Sequence, residues 1–178
     1  MTFTYFLGLG SNLGDRLQQL VSALAALAAD TEPIAISSIY ETEPVGGPEQ
    51  ADYLNLVCAL KAEKKPLEML QFAKAIESDM GRETGERWGP RPIDIDILTA
   101  GLLRLDTPEL EIPHPRLGER LFVCLPLAEI QPDFKPPGMA MTVSQLAARL
   151  KDSAAVNVWR SRADFLQELP EGVWAGNP

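Results

Sequence analysis

Ile93-Asp94-Ile95-Asp96-Ile97-Leu98 alternates isoleucine with aspartate at period two. As a strand it buries Ile93, Ile95 and Ile97 and turns Asp94 and Asp96 to the other face, their Cα atoms about 7 Å apart. Two carboxylates at that spacing converge on a pair of divalent ions, which in two-metal sites sit roughly 4 Å from each other. Without a cation their mutual repulsion makes the pair costly. Just before it, Gly81, Gly85, Gly89, Pro90 and Pro92 are interleaved with Arg82, Arg87, Trp88 and Arg91, which is the composition of a loop. Arginine offers planar, permanently charged donors that suit phosphate oxygens. A mobile arginine and tryptophan loop running into an Asp-x-Asp strand suggests metal-bridged phosphates, with Trp88 covering a ring or excluding water. The same residues also allow a solvated loop whose arginines pair with Glu83 and Glu86, followed by an edge strand with a polar outer face.

Two further places carry ligand chemistry. Tyr53 and Asn55 fall on one face of an apolar run, where a ring beside an amide can stack on and hydrogen-bond a flat heterocycle, or form a satisfied pair within a sheet. His114, the only histidine, lies between Pro113 and Pro115. It can hydrogen-bond or protonate a phosphate oxygen, or serve the turn it sits in. Cys58 and Cys124 lie in apolar segments without metal-ligand spacing and read as buried free thiols.

The elements that position these groups follow from periodicity. Thr4 to Leu9 reads as a buried strand, and Gly8 to Asp15 as the turn leaving it. Asn12 with Asp15 has the form of a helix start, before Leu17, Leu20, Val21, Leu24, Leu27 and Ala28 recur at helical spacing. Gly8-x-Gly10-x-x-x-Gly14 is one residue too long for a dinucleotide fingerprint, and no Gly-Lys-Ser/Thr follows, so a structural strand-to-helix turn is expected. Ala35 to Tyr40 and Tyr53 to Ala62 read as strands separated by a long loop over Glu43 to Pro48. Pro66 opens a second helix that ends at Gly81. With the Asp-x-Asp strand the order is β-α-β-β-α-β, an α+β, ferredoxin-like core whose sheet carries two helices on one face and leaves the other to a ligand or to the rest of the chain.

Further on, Leu121 to Ile130 reads as a helix with Pro126 as a kink, Thr142 and Gln145 make a capping box, and Val156 to Leu169 shows a weak amphipathic pattern. The expectation is one domain over 1–178, with a core of about 4–133, a C-terminal helical extension over 134–178 and frayed last residues.

The chain has 178 residues, 46% of them hydrophobic, which is ample for one substantial core. A net charge of −9 argues against broad electrostatic binding to nucleic acid or anionic membranes, while Arg82, Arg87, Arg91, Arg116 and Arg120 can form a local patch for a small anion. With no basic, apolar leader and no run of ~20 apolar residues, the expectation is a cytoplasmic protein, a monomer, acting on small molecules.

Gly10-Ser11-Asn12-Leu13-Gly14-Asp15, Tyr40-x-Thr42-x-Pro44 through Tyr53-Leu54-Asn55, Gly81-Arg82, Arg87-Trp88-Gly89-Pro90-Arg91, Asp94-Ile95-Asp96, and Ile112-Pro113-His114-Pro115-Arg116 with Arg120 and Phe122 together resemble the 6-hydroxymethyl-7,8-dihydropterin pyrophosphokinases. Six blocks in order make the resemblance specific. It implies a ferredoxin-like fold and transfer of the pyrophosphoryl group of ATP to the pterin hydroxymethyl group in the pathway to folate. It also implies that Asp94 and Asp96 hold two magnesium ions, and that Arg82 and Arg91 act on a loop closing over ATP. Arg87, Ile97, His114, Arg116 and Arg120 would meet ATP, while Gly10, Thr42, Pro44, Val45, Tyr53, Asn55, Trp88 and Phe122 would form the pterin pocket. Glu77 matches a family position and would support these groups from behind. Glu83 and Thr84 stand where members often have a further basic residue, and Pro92 where threonine is commoner. The rival readings are another Asp-x-Asp enzyme, such as a nucleotide-sugar transferase or a kinase yielding ADP, and a ferredoxin-like module that binds without turnover.

Overall fold

A computed structural model of the chain describes residues 1–44, 49–82, 89–151, 153, 155–170 and 174. The elements are β1 (Phe3–Ser11), α1 (Arg16–Ala28), β2 (Glu32–Ile36), β3 (Ile39–Thr42), β4 (Tyr53–Ala62), α2 (Pro66–Asp79), β5 (Asp94–Ala100), the short strands β6 (Leu105–Asp106) and β7 (Glu111–Ile112), α3 (Leu121–Ile130), α4 (Val143–Leu150), β8 (Val156–Arg160) and α5 (Arg162–Leu166). One antiparallel sheet runs β5-β1-β4-β3-β8, with β2 also on β4, and β6 pairs with β7 apart from it. The six sequence-predicted elements thus stand in the ferredoxin-like order, the second strand in two pieces, with the Asp-x-Asp strand at one edge.

Alternation along the strands divides the core. Leu7, Leu9, Leu56, Cys58, Ile95 and Ile97 face α1 and α2, where Leu20, Leu24, Met69 and Ala73 meet them. On the opposite face, Phe6, Val57, Ala59 and Leu98 are covered by α3 and α4 through Leu121, Leu127, Val143 and Leu146. Those two helices cover only part of that face. The remaining part, toward Gly10, Asn55 and Asp94, is the floor of a cleft. Both cysteines are buried; burial raises their thiols, Cys124 to about 11, and the Cys124 thiol donates to Leu117 O.

Several expectations are corrected. The strand expected over Ala35 to Tyr40 is two strands broken at Ser37 and Ser38, because side chains there compete with the ladder for backbone groups. Ser37 Oγ donates to Ser38 O and accepts from Val57 N–H, and the Glu129 carboxylate accepts from Ser38 N–H, Ser38 Oγ and Tyr40 OH. Gly8 and Gly10 belong to β1 and not to the turn after it. Asp15, not Asn12, caps α1 by accepting from Gln18 N–H at 3.0 Å.

The extension is not simply helical. Val156-Asn157-Val158-Trp159-Arg160 is rich in strand formers, and the free edge of β3 supplies a ladder that outweighs its weak helical period. Nor is Trp174 frayed: it is buried with Phe165 and Leu169 against the α1 layer, and its Nε1–H donates to Leu24 O. The helix over Leu121–Ile130 with Pro126 inside it and the Thr142–Gln145 capping box are present as expected. Among the described residues no helix is long and apolar enough to cross a membrane.

Candidate active site

The cleft, counted with the solvent space at its mouth, takes in about 840 Å³. β1 contributes its floor. Gly8 and Gly10 leave the sheet bare there: a Cβ on Gly10 would stand 2.8 Å from Asn55 Oδ1, and one on Gly8 3.5 Å from Leu98. A flat ligand can lie against backbone only because these positions lack side chains.

β4 and β3 form one wall. Asn55, paired with Tyr40 across the sheet, is 6% exposed, and its Nδ2 donates to Thr42 Oγ1 at 2.7 Å. That bond fixes the amide with Oδ1 over Gly10 and aims the group by geometry alone. Tyr53 and Phe122 add rings to the cleft, and the Arg120 guanidinium lies over the Phe122 ring at 5.6 Å. Burial, followed by the charge of Asp94, pushes the Tyr53 phenol up against the opposing pull of Arg91 and Arg82.

β5 forms the other wall. Asp94 and Asp96 share the cleft face, opposite Gly10 and Gly8 of β1, while Ile93, Ile95 and Ile97 are buried beneath. Both oxygens of Asp94 meet guanidinium groups: Arg82 Nη1 is 2.7 Å from Oδ1 and Arg91 Nη1 3.3 Å from Oδ2. Asp96 faces Arg120 Nη1 at 3.4 Å and His114 Nε2 at 3.9 Å, the latter too long for a hydrogen bond. Burial and the neighbouring Asp94 charge raise the Asp96 carboxyl, and burial lowers the His114 imidazole against the pull of Asp96. His114 is also part of its turn. It follows a cis Ile112–Pro113 bond, its N–H donates to Leu98 O, and Nδ1 accepts from Arg116 N–H at 3.1 Å.

Glu77 stands behind this wall. It is 7% exposed, accepts from Ile95 N–H at 2.7 Å and pairs closely with Arg82. Burial raises its carboxyl while Ile95 N–H and Arg82 oppose the shift. One residue thus ties α2 to β5 and holds the arginine beside Asp94.

Of the residues singled out from the sequence, Gly10, Thr42, Tyr53, Asn55, Arg91, Asp94, Asp96, Arg116, Arg120 and Phe122 line the cleft. Arg82 and His114 reach it through Asp94 and Asp96. The Ile97 side chain is packed among the core residues on the helical face and leaves only its backbone to meet a ligand. Pro44 is half-buried at the end of a described segment. Val45, Arg87 and Trp88, together with Glu83, Thr84 and the rest of 83–88, half of the closing loop expected over Gly81 to Pro92, lie outside the described residues.

Asn12 joins the site although its sequence neighbours suggested a cap. It is 3% exposed; Oδ1 accepts from Arg91 N–H at 2.9 Å, and Nδ2 donates to Gln50 Oε1 and Ala51 O at 2.8 and 3.2 Å. It fastens the segment bearing Arg91 to the segment entering β4. No periodicity signals such a role, since it depends on two loops, one entering β4 and one entering β5, that meet on either side of the C-terminal end of β1.

The α+β fold is similar to that of Plasmodium falciparum HPPK-DHPS solved with pterin and p-hydroxybenzoate. That structure is similar at a TM-score of 0.69 and 20% identity, over 89% of this chain and 45% of the other. The chain therefore spans less than half the length of that neighbour. The family model described as 7,8-dihydro-6-hydroxymethylpterin-pyrophosphokinase matches residues 6–132. The 2-amino-4-hydroxy-6-hydroxymethyldihydropteridine pyrophosphokinase of Bacillus subtilis is 40% identical over 161 residues, 89% of this chain and 91% of the relative. That of Porphyromonas gingivalis is 42% identical over 136 residues, 74% of this chain and 92% of the relative. The chain belongs to the 7,8-dihydro-6-hydroxymethylpterin-pyrophosphokinase family.

Proposed function

We propose that the chain, as one catalytic unit over 1–178, transfers the pyrophosphoryl group of ATP to the hydroxymethyl group of 6-hydroxymethyl-7,8-dihydropterin and releases AMP. Pyrophosphoryl transfer to that pterin, in folate biosynthesis, is the activity of the family to which it belongs. The observation that carries the residue-level reading is the division of one cleft. Asn55, Thr42 and Tyr53 stand on β4 and β3 to one side of β1, and Asp94, Asp96 and the three arginines paired with them stand at β5 on the other, with the Phe122 ring against Arg120.

The pterin lies on the glycine floor with its edge read by Asn55 and its ring against Tyr53 and Phe122. ATP lies along β5. The donor set suits a small, hard divalent cation: the Asp94 and Asp96 carboxylates share one face of β5. Such a site leaves coordination positions to phosphate oxygens and water, as magnesium prefers. Asp94 and Asp96 would hold two magnesium ions, which when bound neutralise the phosphate charge and orient the triphosphate.

The arginines have a matching task. Arg82 and Arg91 neutralise Asp94, and where a cation takes over that carboxylate their guanidinium groups would be free to meet the phosphates. His114, Arg116 and Arg120 serve the nucleotide at the other side of Asp96. The hydroxyl oxygen of the pterin then forms a bond to the β-phosphorus, in line with the breaking bond to the α-phosphate, and loses its proton. Transfers of this kind rest mainly on positioning and charge neutralisation, which these residues supply without a covalent intermediate.

The decisive assay mixes the protein with magnesium, ATP and 6-hydroxymethyl-7,8-dihydropterin and identifies the nucleotide product. AMP in step with pterin pyrophosphate supports the reading, ADP indicates an ordinary kinase, and no turnover with retained binding indicates a binding module. The pterin assignment has its own expected result. Asn55→Ala weakens pterin binding by about 1–3 kcal/mol, because the heterocycle edge loses its partner, and leaves ATP binding unchanged. Calorimetry with each ligand checks this; equal losses for both would remove Asn55 from the pterin site.

A further inference from the structure

Residues beyond 132 lie outside the span that the family model matches, yet part of them joins the sheet that builds the site. β8 pairs with β3 through Tyr40–Val158, Glu41–Asn157 and Thr42–Val156. Without it, β3 would be a four-residue sheet edge held by β4 alone, and short edge strands open readily. The other end of β3 is held as well: Ser38 Oγ accepts from Arg162 N–H at 2.9 Å, just beyond β8, while Glu129 grips Ser38 and Tyr40. Phe165 and Trp174, further along the same segment, are buried in the helical layer and anchor it. Thr42, at the supported end of β3, is the residue that accepts the Asn55 amide.

Resting on the functional reading above, we infer that β8 is a positioning element for the heterocycle: by making β3 an interior strand it keeps Thr42 in register with Asn55 and so sets how tightly the pterin wall binds. The nucleotide wall is built on β5, at the far edge of the sheet, and does not depend on it. A wall that opens part of the time lowers apparent heterocycle affinity by the fraction of time it is formed, and leaves the other ligand alone.

The test uses two exposed positions, Asn157 and Val158, whose side chains contribute little packing. Successive N–H groups along an edge strand point alternately to the ladder and to solvent, so of Asn157→Pro and Val158→Pro one removes a ladder bond and the other is its control. In the ladder-breaking variant the dissociation constant for 6-hydroxymethylpterin is expected to rise on the order of ten-fold, that for a non-hydrolysable ATP analogue with magnesium to stay within about two-fold, and the Tyr40 and Thr42 amides to exchange faster. The control variant behaves as wild type.

Unchanged heterocycle affinity in both variants, or equal weakening of both ligands, overturns the inference while the functional reading stands. A wild-type protein that binds no heterocycle overturns the functional reading and the inference together. If the ladder-breaking variant does not fold, amide exchange of the wild type decides: β3 protected as strongly as β4 supports the buttress, and β3 exchanging far ahead of β4 overturns it.

Discussion

Asp94→Asn and Asp96→Asn each lower turnover by about three orders of magnitude or more and leave the fold intact, the scale expected when a cation that neutralises transferring phosphate loses a ligand. Asparagine keeps the shape of the side chain and removes only its charge. The fold does not depend on that charge, because the strand is held by Ile93, Ile95 and Ile97 on its other face, and the ion pairs of Asp94 and Asp96 are partly solvated. Pairs of that exposure contribute about 0–1 kcal/mol.

For Asp96 the stability effect has the opposite sign to the activity effect. Burial and the Asp94 charge raise its carboxyl in the folded protein. A carboxylate raised on folding contributes stability below its unfolded value and loses it as pH rises through the folded value, so at neutral pH the ionised Asp96 is a cost. Asp96→Asn removes that cost, and its melting temperature in chelator is expected to equal or exceed that of wild type. Steady-state turnover over a magnesium titration, with thermal melting in EDTA, checks both halves. Near-normal turnover at low magnesium, or collapse of the fold, would contradict the assignment.

Arg82→Ala and Arg91→Ala are expected to lower kcat by about 10²–10³ while changing the dissociation constant for ATP much less, because groups engaged on the transferring phosphate act mainly in the transition state. Both guanidinium groups pair with Asp94, and on the proposed reading they turn to the phosphates only once a cation takes that carboxylate. The two variants differ in stability. Arg82 also pairs with Glu77, whose buried carboxylate keeps, among the described residues, Ile95 N–H when the arginine is gone. Arg82→Ala therefore lowers the melting temperature, and Arg91→Ala leaves it nearly unchanged. Single-turnover rates, ATP calorimetry and melting curves separate these effects. An ATP affinity that falls in full proportion to the rate would make that arginine a ground-state anchor.

What the sequence determined by itself was everything carried by short-range periodicity and residue chemistry. The period-two alternation of Ile93 to Leu98 placed two carboxylates on one face, the helical stripe after Pro66 placed α2, and strand runs at Thr4 and Tyr53 placed β1 and β4 in an α+β order. These readings held because one residue in two, or three and four in seven, must meet the core wherever the chain goes. Tertiary structure decided the rest. Only the sheet shows that Gly8 and Gly10 are a floor and not a turn, since a glycine in a strand and a glycine in a loop look alike until a ligand face is defined. Ser37 and Ser38 break a strand because Glu129, ninety-odd residues away, supplies acceptors for Ser38. Asn12 joins two loops that local sequence assigns to separate elements. Val156 to Arg160 becomes a strand because β3 offers an open edge, and Trp174 is buried because α1 leaves a carbonyl within its reach. In each case the partner lies far along the chain, and a backbone or amide group takes the bond that the assembled fold places beside it.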